Sequence, residues 1–477
     1  MLVPPVRGTW MKRKRWDSET SIPGYRSPVG LPLVLAAVAG FSGPGVPVQT
    51  QSWIFTDLGS LHPNQNASAS ADINNSGEVC GTSTVPAPPG FQAFHAFFWD
   101  PAGIVDIPPL RPNLAFGRAL GDDGTVYGYS LSSGTALHAF RFDGVATHDL
   151  HPPGARNYSC INDISETGIL AGVANVDPPP GVTVAPYMGY LQQGGATLFL
   201  PALGGIESHA RAVNNLGNAA GYAEDATGAM QACIWFQGVP FGLGGFGGNS
   251  SHGWAMNNQD QVVGVATDSL LTNQPFFWDG TSLVQLSTLG GSSGWARDIN
   301  DAGQIVGMTL DSSGEEHATL WEGGVPINLD AFAPAWGDWR LTKASGINEL
   351  GEICGTGTRG NIGRAWKLTP SDRLRLSPML PGEAGTMNRV DILGATIGGT
   401  LVLAHGTRPG SWPIPGLPGL FLDMADPAPA AVFTGSQGRR NRHELFIPTT
   451  ARGARVLLQA VDFASGQKSE LVDLVLR

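Results

Sequence analysis

The sequence predicts an all-β chain: a seven-bladed β-propeller of four-stranded blades followed by a small C-terminal β-sandwich. Three observations predict it. One hairpin pattern recurs seven times at the spacing of a propeller blade. Charged residues are scarce at 14%, while glycine (66) and proline (36) abound in the 477 residues, which suits short strands and tight turns better than long helices. A lone strand before the first repeat matches the one that the last repeat lacks.

The clearest copies of the hairpin are Asp72-Ile-Asn-Asn-Ser-Gly-Glu-Val-Cys-Gly81 and Asp298-Ile-Asn-Asp-Ala-Gly-Gln-Ile-Val-Gly307. Anchored on the Asn position, the repeats fall at Asn74, Gly121, Ser165, Asn214, Asn257, Asn300 and Asn348, spaced by 43 to 49 residues. The residue before each anchor is apolar: Ile73, Leu120, Ile164, Val213, Met256, Ile299 and Ile347. Seven residues after each anchor stands a glycine: Gly81, Gly128, Gly172, Gly221, Gly264, Gly307 and Gly355. Four residues before it, six of seven are small (Ser70, Gly117, Ala210, Gly253, Ala296, Ala344). Asn-x-x-Gly predicts a type I turn followed by glycine at positive φ. The fixed small residues predict a crowded place near the axis, where backbones approach closely.

A second strand pair follows in each unit. Its first strand reads His95-Ala-Phe-Phe-Trp-Asp100, His138-Ala-Phe-Arg-Phe-Asp143, Gln274-Pro-Phe-Phe-Trp-Asp279 or His317-Ala-Thr-Leu-Trp-Glu322. Its second is a short apolar run such as Ile104–Ile107, and Leu-Gly-Gly (203–205, 243–245, 289–291) closes several units. The seventh repeat ends at Arg364-Ala-Trp-Lys-Leu368 without a fourth strand, and Trp53-Ile-Phe-Thr-Asp-Leu-Gly59 is its orphan copy. Pairing the two would tie the ends of the propeller together and leave no open edge; a β-solenoid is the rival architecture. These motifs resemble the HAF family of extracellular repeats, over roughly residues 53–370. The resemblance implies an exported repeat protein and carries no catalytic residues. Repeats two and three depart most, with Gly121 and Ser165 at the Asn position and Tyr187-Met-Gly-Tyr190 in place of His-Ala-Phe.

The flanks complete the organisation. Lys12-Arg-Lys-Arg15, the apolar run Leu31–Gly40 and Ala37-Val-Ala39 predict a signal peptide over 1–39, with a linker over 40–52. The run is shorter than the ~20 residues a membrane span needs. The chain is therefore expected outside the cytoplasm, secreted or at the cell surface, with no membrane span after cleavage. Residues 371–477 alternate turn clusters with apolar runs (Val390–Leu393, Thr400–Ala404, Leu445–Ile447, Arg455–Val461, Leu471–Leu476), the pattern of a small sandwich. They look like short β-domains that end exported bacterial proteins, through Phe446-Ile-Pro448, Gly453 and Gln459-Ala-Val-Asp462. Arg439, Arg440 and Arg442 are read as a solvated loop.

Charge narrows the partners. Residues 40–371 hold 11 basic and 28 acidic side chains, which argues against nucleic acid, since phosphate binding needs clustered Lys and Arg. Four cysteines are too few for a disulfide scaffold. Cys80 and Cys354 share a repeat position in the first and last units, and buried free thiols are expected there rather than a bridge. No nucleophile elbow, phosphate loop or His-Glu-x-x-His motif is present. His95, His138 and His317 recur at one strand position and are read as structural rather than as metal ligands. Asp72-x-Asn74-x-Ser76-Gly77 resembles the start of a calcium loop but is explained by the turn. Asp122-Asp123 and Glu315-Glu316 are read as solvated loop tips. Trp99, Trp235, Trp278 and Trp321 occupy one repeated slot and are assigned to the core. Trp254, Trp295, Trp336 and Trp339 lie outside it and are the candidate binding residues, as rings that can stack on sugars. No catalytic residue, metal or cofactor is expected. The sequence thus points to a monomeric binding module for a glycan or protein. A glycan-active enzyme with carboxylates from separate blades, or a structural surface protein, are the alternatives.

Overall fold

The structure, a computed structural model, describes residues 53–62, 67–87 and 93–370, and the strands of the segment beyond. The signal peptide and linker over 1–52 lie outside the described residues. The described part is all-β, with a single 3₁₀ turn at Leu329–Phe332. Each of the first six repeats folds as four antiparallel strands in sequence order, as in Ser68–Ile73, Val79–Val85, Ala93–Asp100 and Gly103–Ile107. Repeats two and three join into one larger sheet through a parallel bridge from Leu137 to Tyr158.

The turn chemistry explains the hairpins. In each, the anchor amide donates to the carbonyl four residues on, and the residue three on donates back to the anchor carbonyl. That third residue sits at positive φ: Gly77 (71°), Gly124 (82°), Gly168 (78°), Gly217 (77°), Gly303 (75°) and Gly351 (69°). Repeat five places Asp260 there at 61°, where a side chain is disfavoured. Its carboxylate offsets this by accepting Asn214 Nδ2 (2.7 Å) and Asn218 Nδ2 (2.9 Å) from the preceding repeat.

The ring closes. Each repeat shares a buried apolar cluster with the next, and Leu58, Cys354 and Ala365 of the last sheet pack with Ile73, Val79, Phe97 and Trp99 of the first. Trp53–Gly59 pairs antiparallel with Ile362–Pro370, so the N-terminal strand completes the seventh repeat's sheet. Anchor side chains stitch the units. Asn74 Nδ2 donates to the Gly121 carbonyl, Asn214 to Asn257, Asn257 to Asn300, Asn300 to Asn348, and Asn348 to Asn74, at 2.9–3.2 Å. The last of these spans 274 residues and rules out a linear stack.

Two details depart from the sequence reading. Leu203-Gly-Gly and Leu289-Gly-Gly open the next repeat's first strand rather than close the old unit. The equivalent in repeat five is Phe246-Gly-Gly, not 243–245. Beyond Pro370 the described strands form small antiparallel sheets, among them Met387–Leu393 with Arg440–Phe446 and Thr400–Gly406 with Ala428–Thr434 and Arg455–Asp462. Arg440 and Arg442 therefore lie in a strand, not a loop; Arg439 is outside the described residues.

A candidate binding site in the central channel

The first strand of every repeat lines a central cavity of about 450 Å³, within the range of small-ligand sites (about 300–1,000 Å³). In all seven repeats the register of the first two strands slips between the residues four and two before the anchor. This is a β-bulge, and it turns the skipped residue out of the ladder. The invariant glycine makes it possible: a Cβ at Gly128, Gly221 or Gly264 would collide with the carbonyl oxygen of Phe116, His209 or His252. The skipped residues are Ala71, Arg118, Asn162, Arg211, Trp254, Arg297 and Ser345, and all of them line the cavity.

Three of the seven are arginines. Arg211 lies 4.9 Å from the centre of the Trp254 ring and Arg297 lies 4.6 Å from it, cation–π distances. Arg118 covers Tyr129 at 5.7 Å. Arg118 and Arg297 are exposed and Arg211 is half-buried; partial desolvation in the channel and the charges of Arg211 and Arg118 lower the pKa of Arg297. Among the described residues no carboxylate lies within ion-pair distance of any of the three. The Trp254 Nε1 and Arg211 Nε donors are buried without hydrogen-bond partners.

An arc of aromatic rings, half-buried except for the exposed Tyr187, runs from the first repeat to the fifth. It follows Phe94, Phe116, Tyr129, Tyr158, Tyr187, His209, Tyr222, His252 and Trp254, with neighbouring centroids 4.3–6.4 Å apart. Burial and Arg211 hold the His209 pKa down at about 4 and lower that of His252, so both imidazoles are neutral at pH 7. A second cavity adjoins the arc's start, lined by Phe94, Phe116, Tyr129, Arg118 and small residues such as Ala67, Ala69 and Ala71.

The turn end of the channel is acidic. The residue after the anchor is Asn75, Asp122, Glu166, Asn215, Asn258, Asp301 or Glu349. Asn75 donates through its backbone and Nδ2 to Asp122, Asn258 does the same to Asp301, and Glu349 donates its amide to Asn75 Oδ1. Asp122 is thus part of an inter-repeat stitch, not a solvated tip; Glu315 and Glu316 are exposed and pair with Arg340 and Lys343. Between the two levels lie Asp72, Asp163 and Asp298. Each carboxylate accepts the amide of its own next residue and one from the following repeat, Leu120, Val213 or Ile347, at 2.7–2.8 Å. Burial raises the pKa of Asp163 to about 6 and of Asp298 to about 7, and it raises that of Asp72 as well, with the charges of Asp298 and Asp163 adding to the Asp72 shift.

The four candidate tryptophans do not converge. Trp254 stands in the channel wall. Trp295 is half-buried, at the strand position of His209 and His252 in its neighbours. Trp336 is 55% exposed beside Arg359 and Phe55. Trp339 is only 5% exposed and packs on Phe55 at 4.8 Å, so it belongs to the core and cannot stack on a ligand. Trp99, Trp235, Trp278 and Trp321 are buried.

The histidines are pins, not a metal ring. His95 Nδ1 meets Asp106 at 2.9 Å and His138 Nδ1 meets Asp149 at 2.8 Å, each tying the third strand to the fourth. His317 meets Asp311 at 3.1 Å. Asp311, Glu315 and His317 bring ligand atoms within 4.8 Å of one another. Arg340 pairs there with Glu315 (2.6 Å) and Asp330 (3.0 Å) and supplies the positive charge. At Asp72–Gly77 the Asn74 Oδ1 accepts the amides of Ser76 and Glu78, a turn lock that leaves the calcium reading without its ligand. All four cysteines are free and buried.

The arginines and the arc escaped the sequence reading. Their signal was present: the slot three before the anchor varies between Arg, Trp, Asn, Ser and Ala, beside a slot that is small in six of seven repeats. Only the bulge tells that this slot faces the axis.

No family model matches the chain and no curated protein matches its sequence. Among solved structures it is similar to a fungal alcohol oxidase of the AA5 family (11% identity, 89% of this chain and 99% of that one, TM-score 0.41). It is also similar to the six-bladed propeller lectin of Aleuria aurantia (10%, 57% and 97%, 0.31) and to the propeller domain of the Trilobed protease from Pyrococcus furiosus (10%, 56% and 99%, 0.32). At these scores the likeness carries no inference about what this chain does.

Proposed function

We propose that the chain is an exported, non-catalytic binding protein: a seven-bladed propeller of HAF-type repeats over 53–370, followed by a C-terminal β-sandwich over 371–477, acting as a monomer. The observation that carries the binding role is the bulge. It recurs in each repeat and aims a residue that varies from repeat to repeat into the central cavity. A rigid frame with variable inward side chains is how a scaffold builds a recognition site. Among the described residues no helix is long and apolar enough to cross a membrane.

The glycan-active alternative draws on Asp72, Asp163 and Asp298, whose pKa values are raised. Their oxygens all accept backbone amides, which supports a structural role. A glycan and protein binding screen with the secreted full chain tests the proposal. Binding that Trp254→Ala abolishes without lowering Tm supports it. Polysaccharide turnover that Asp298→Asn abolishes would replace it with the enzyme.

A further inference from the structure

We infer that the channel binds an acidic saccharide, its carboxylate or sulfate held by Arg118, Arg211 and Arg297 and its sugar ring lying on the aromatic arc. This deepens the binding role proposed above and rests on it.

The first argument is charge. Residues 40–371 hold 28 acidic side chains against 11 basic ones, so a carboxylate partner is easy to find. Arg141, Arg156, Arg340, Lys343, Arg359 and Lys367 each have one. Arg118, Arg211 and Arg297 do not, although they are brought to one level of one channel. Gathering like charges at one level of a concave surface raises the local positive potential, which attracts an anion to the space between them. Guanidinium groups present forked donors that match a carboxylate or sulfate.

The second argument is donors. Trp254 is flanked by Arg211 and Arg297, and its Nε1 is buried with nothing to bond. So is Arg211 Nε. Buried donors without partners are rare and destabilising. Both are closed to water, so a ligand's oxygen reaches them only when the Arg211 and Trp254 side chains turn toward it.

The third is polarity. Arg118 and Arg297 stand four residues before Asp122 and Asp301, which with Glu166 and Glu349 make the turn end of the channel acidic. An anion is attracted to one end of the channel and repelled from the other, so the ligand enters from the aromatic face. Arg118 lines both the channel and the adjoining cavity with Phe116 and Tyr129, so one molecule can place its charge in the first and a ring in the second.

The test is an array of oligosaccharides in acidic and neutral pairs: oligogalacturonate beside oligogalactose, glucuronate-containing beside glucose-only, and sulfated beside unsulfated. It is probed with the secreted full chain and with an Arg211→Gln/Arg297→Gln variant whose Tm is measured alongside. The expected result is a preference of tenfold or more for acidic members, weakened by 0.5 M NaCl and lost in the double variant with Tm unchanged or raised. The uronate and sulfate arms identify the anionic group. Equal binding of neutral partners, or acid binding that survives the double substitution, overturns the inference and leaves the binding role intact. Capture of no saccharide overturns the inference, and only failure of the protein arm of the binding screen as well overturns the binding role.

Discussion

Asn300→Ala should weaken the ring by a calculable amount. Asn300 is 1% exposed. Its Nδ2 donates to the Asn348 carbonyl of the next repeat (3.1 Å) and to Gln304 Oε1 (2.9 Å), and its Oδ1 accepts the Gln304 amide (3.0 Å). Alanine removes the bond to the next repeat and the acceptor of the Gln304 amide, while the Asn348 carbonyl still accepts the Gly351 amide. Losing hydrogen bonds to buried groups costs roughly 1–3 kcal/mol, so we expect a loss in that range. Asn300→Asp discriminates between causes. It keeps the acceptor for Gln304 but turns an oxygen toward the Asn348 carbonyl and Gln304 Oε1, so it should cost at least as much as alanine. The assay is urea unfolding followed by tryptophan fluorescence, with the midpoint and slope compared at fixed pH. A loss below about 0.5 kcal/mol for alanine, or wild-type stability for the aspartate, would refute the view that anchor side chains hold the repeats together.

Other outcomes follow from the same structure. Ser165 is buried at an anchor position without an amide to reach the next repeat, so Ser165→Asn should raise stability by about 0.5–1 kcal/mol, the worth of one hydrogen bond; an unchanged or lower urea midpoint would count against it. Burial pushes the thiol pKa of Cys160 to about 11 and of Cys233 to about 12, and raises those of Cys80 and Cys354. Iodoacetamide at pH 8 should therefore label none of the four in the native state and all of them in urea, as read by mass spectrometry. The folded pKa values of Asp163 and Asp298, about 6 and about 7, lie above the unfolded value of 3.8. The folded state then binds more protons between pH 4 and 7, and these groups make stability fall as pH rises through that window. A urea midpoint that climbs steadily from pH 5 to 8 would contradict this.

How much was legible in the sequence follows from which forces are local. The anchor Asn and the glycine three residues on are local turn chemistry: the Asn marked five of the seven hairpins and the glycine all but that of repeat five. There Asp260 occupies the left-handed position because its carboxylate serves residues Asn214 and Asn218 of another repeat. The glycine seven after the anchor announced close backbone approach. Its partner, the carbonyl across a bulge, belongs to a different strand and left no mark of its own. The pairing of Trp53–Gly59 with the last repeat was legible because a missing strand and a spare one share a pattern.

By itself, then, the sequence determined the repeat, its turns, its four strands and its closure, since these depend on residue types at short fixed spacings. The tertiary structure alone decided where side chains point. Trp254 and Trp339 look alike in the sequence, yet one bulge sends the first into the channel, while the strand Trp339–Ile347 carries the second into the core. The convergence of Arg118, Arg211 and Arg297 was likewise hidden, because residues separated by 93 and 86 positions become neighbours only when the ring closes around a common axis.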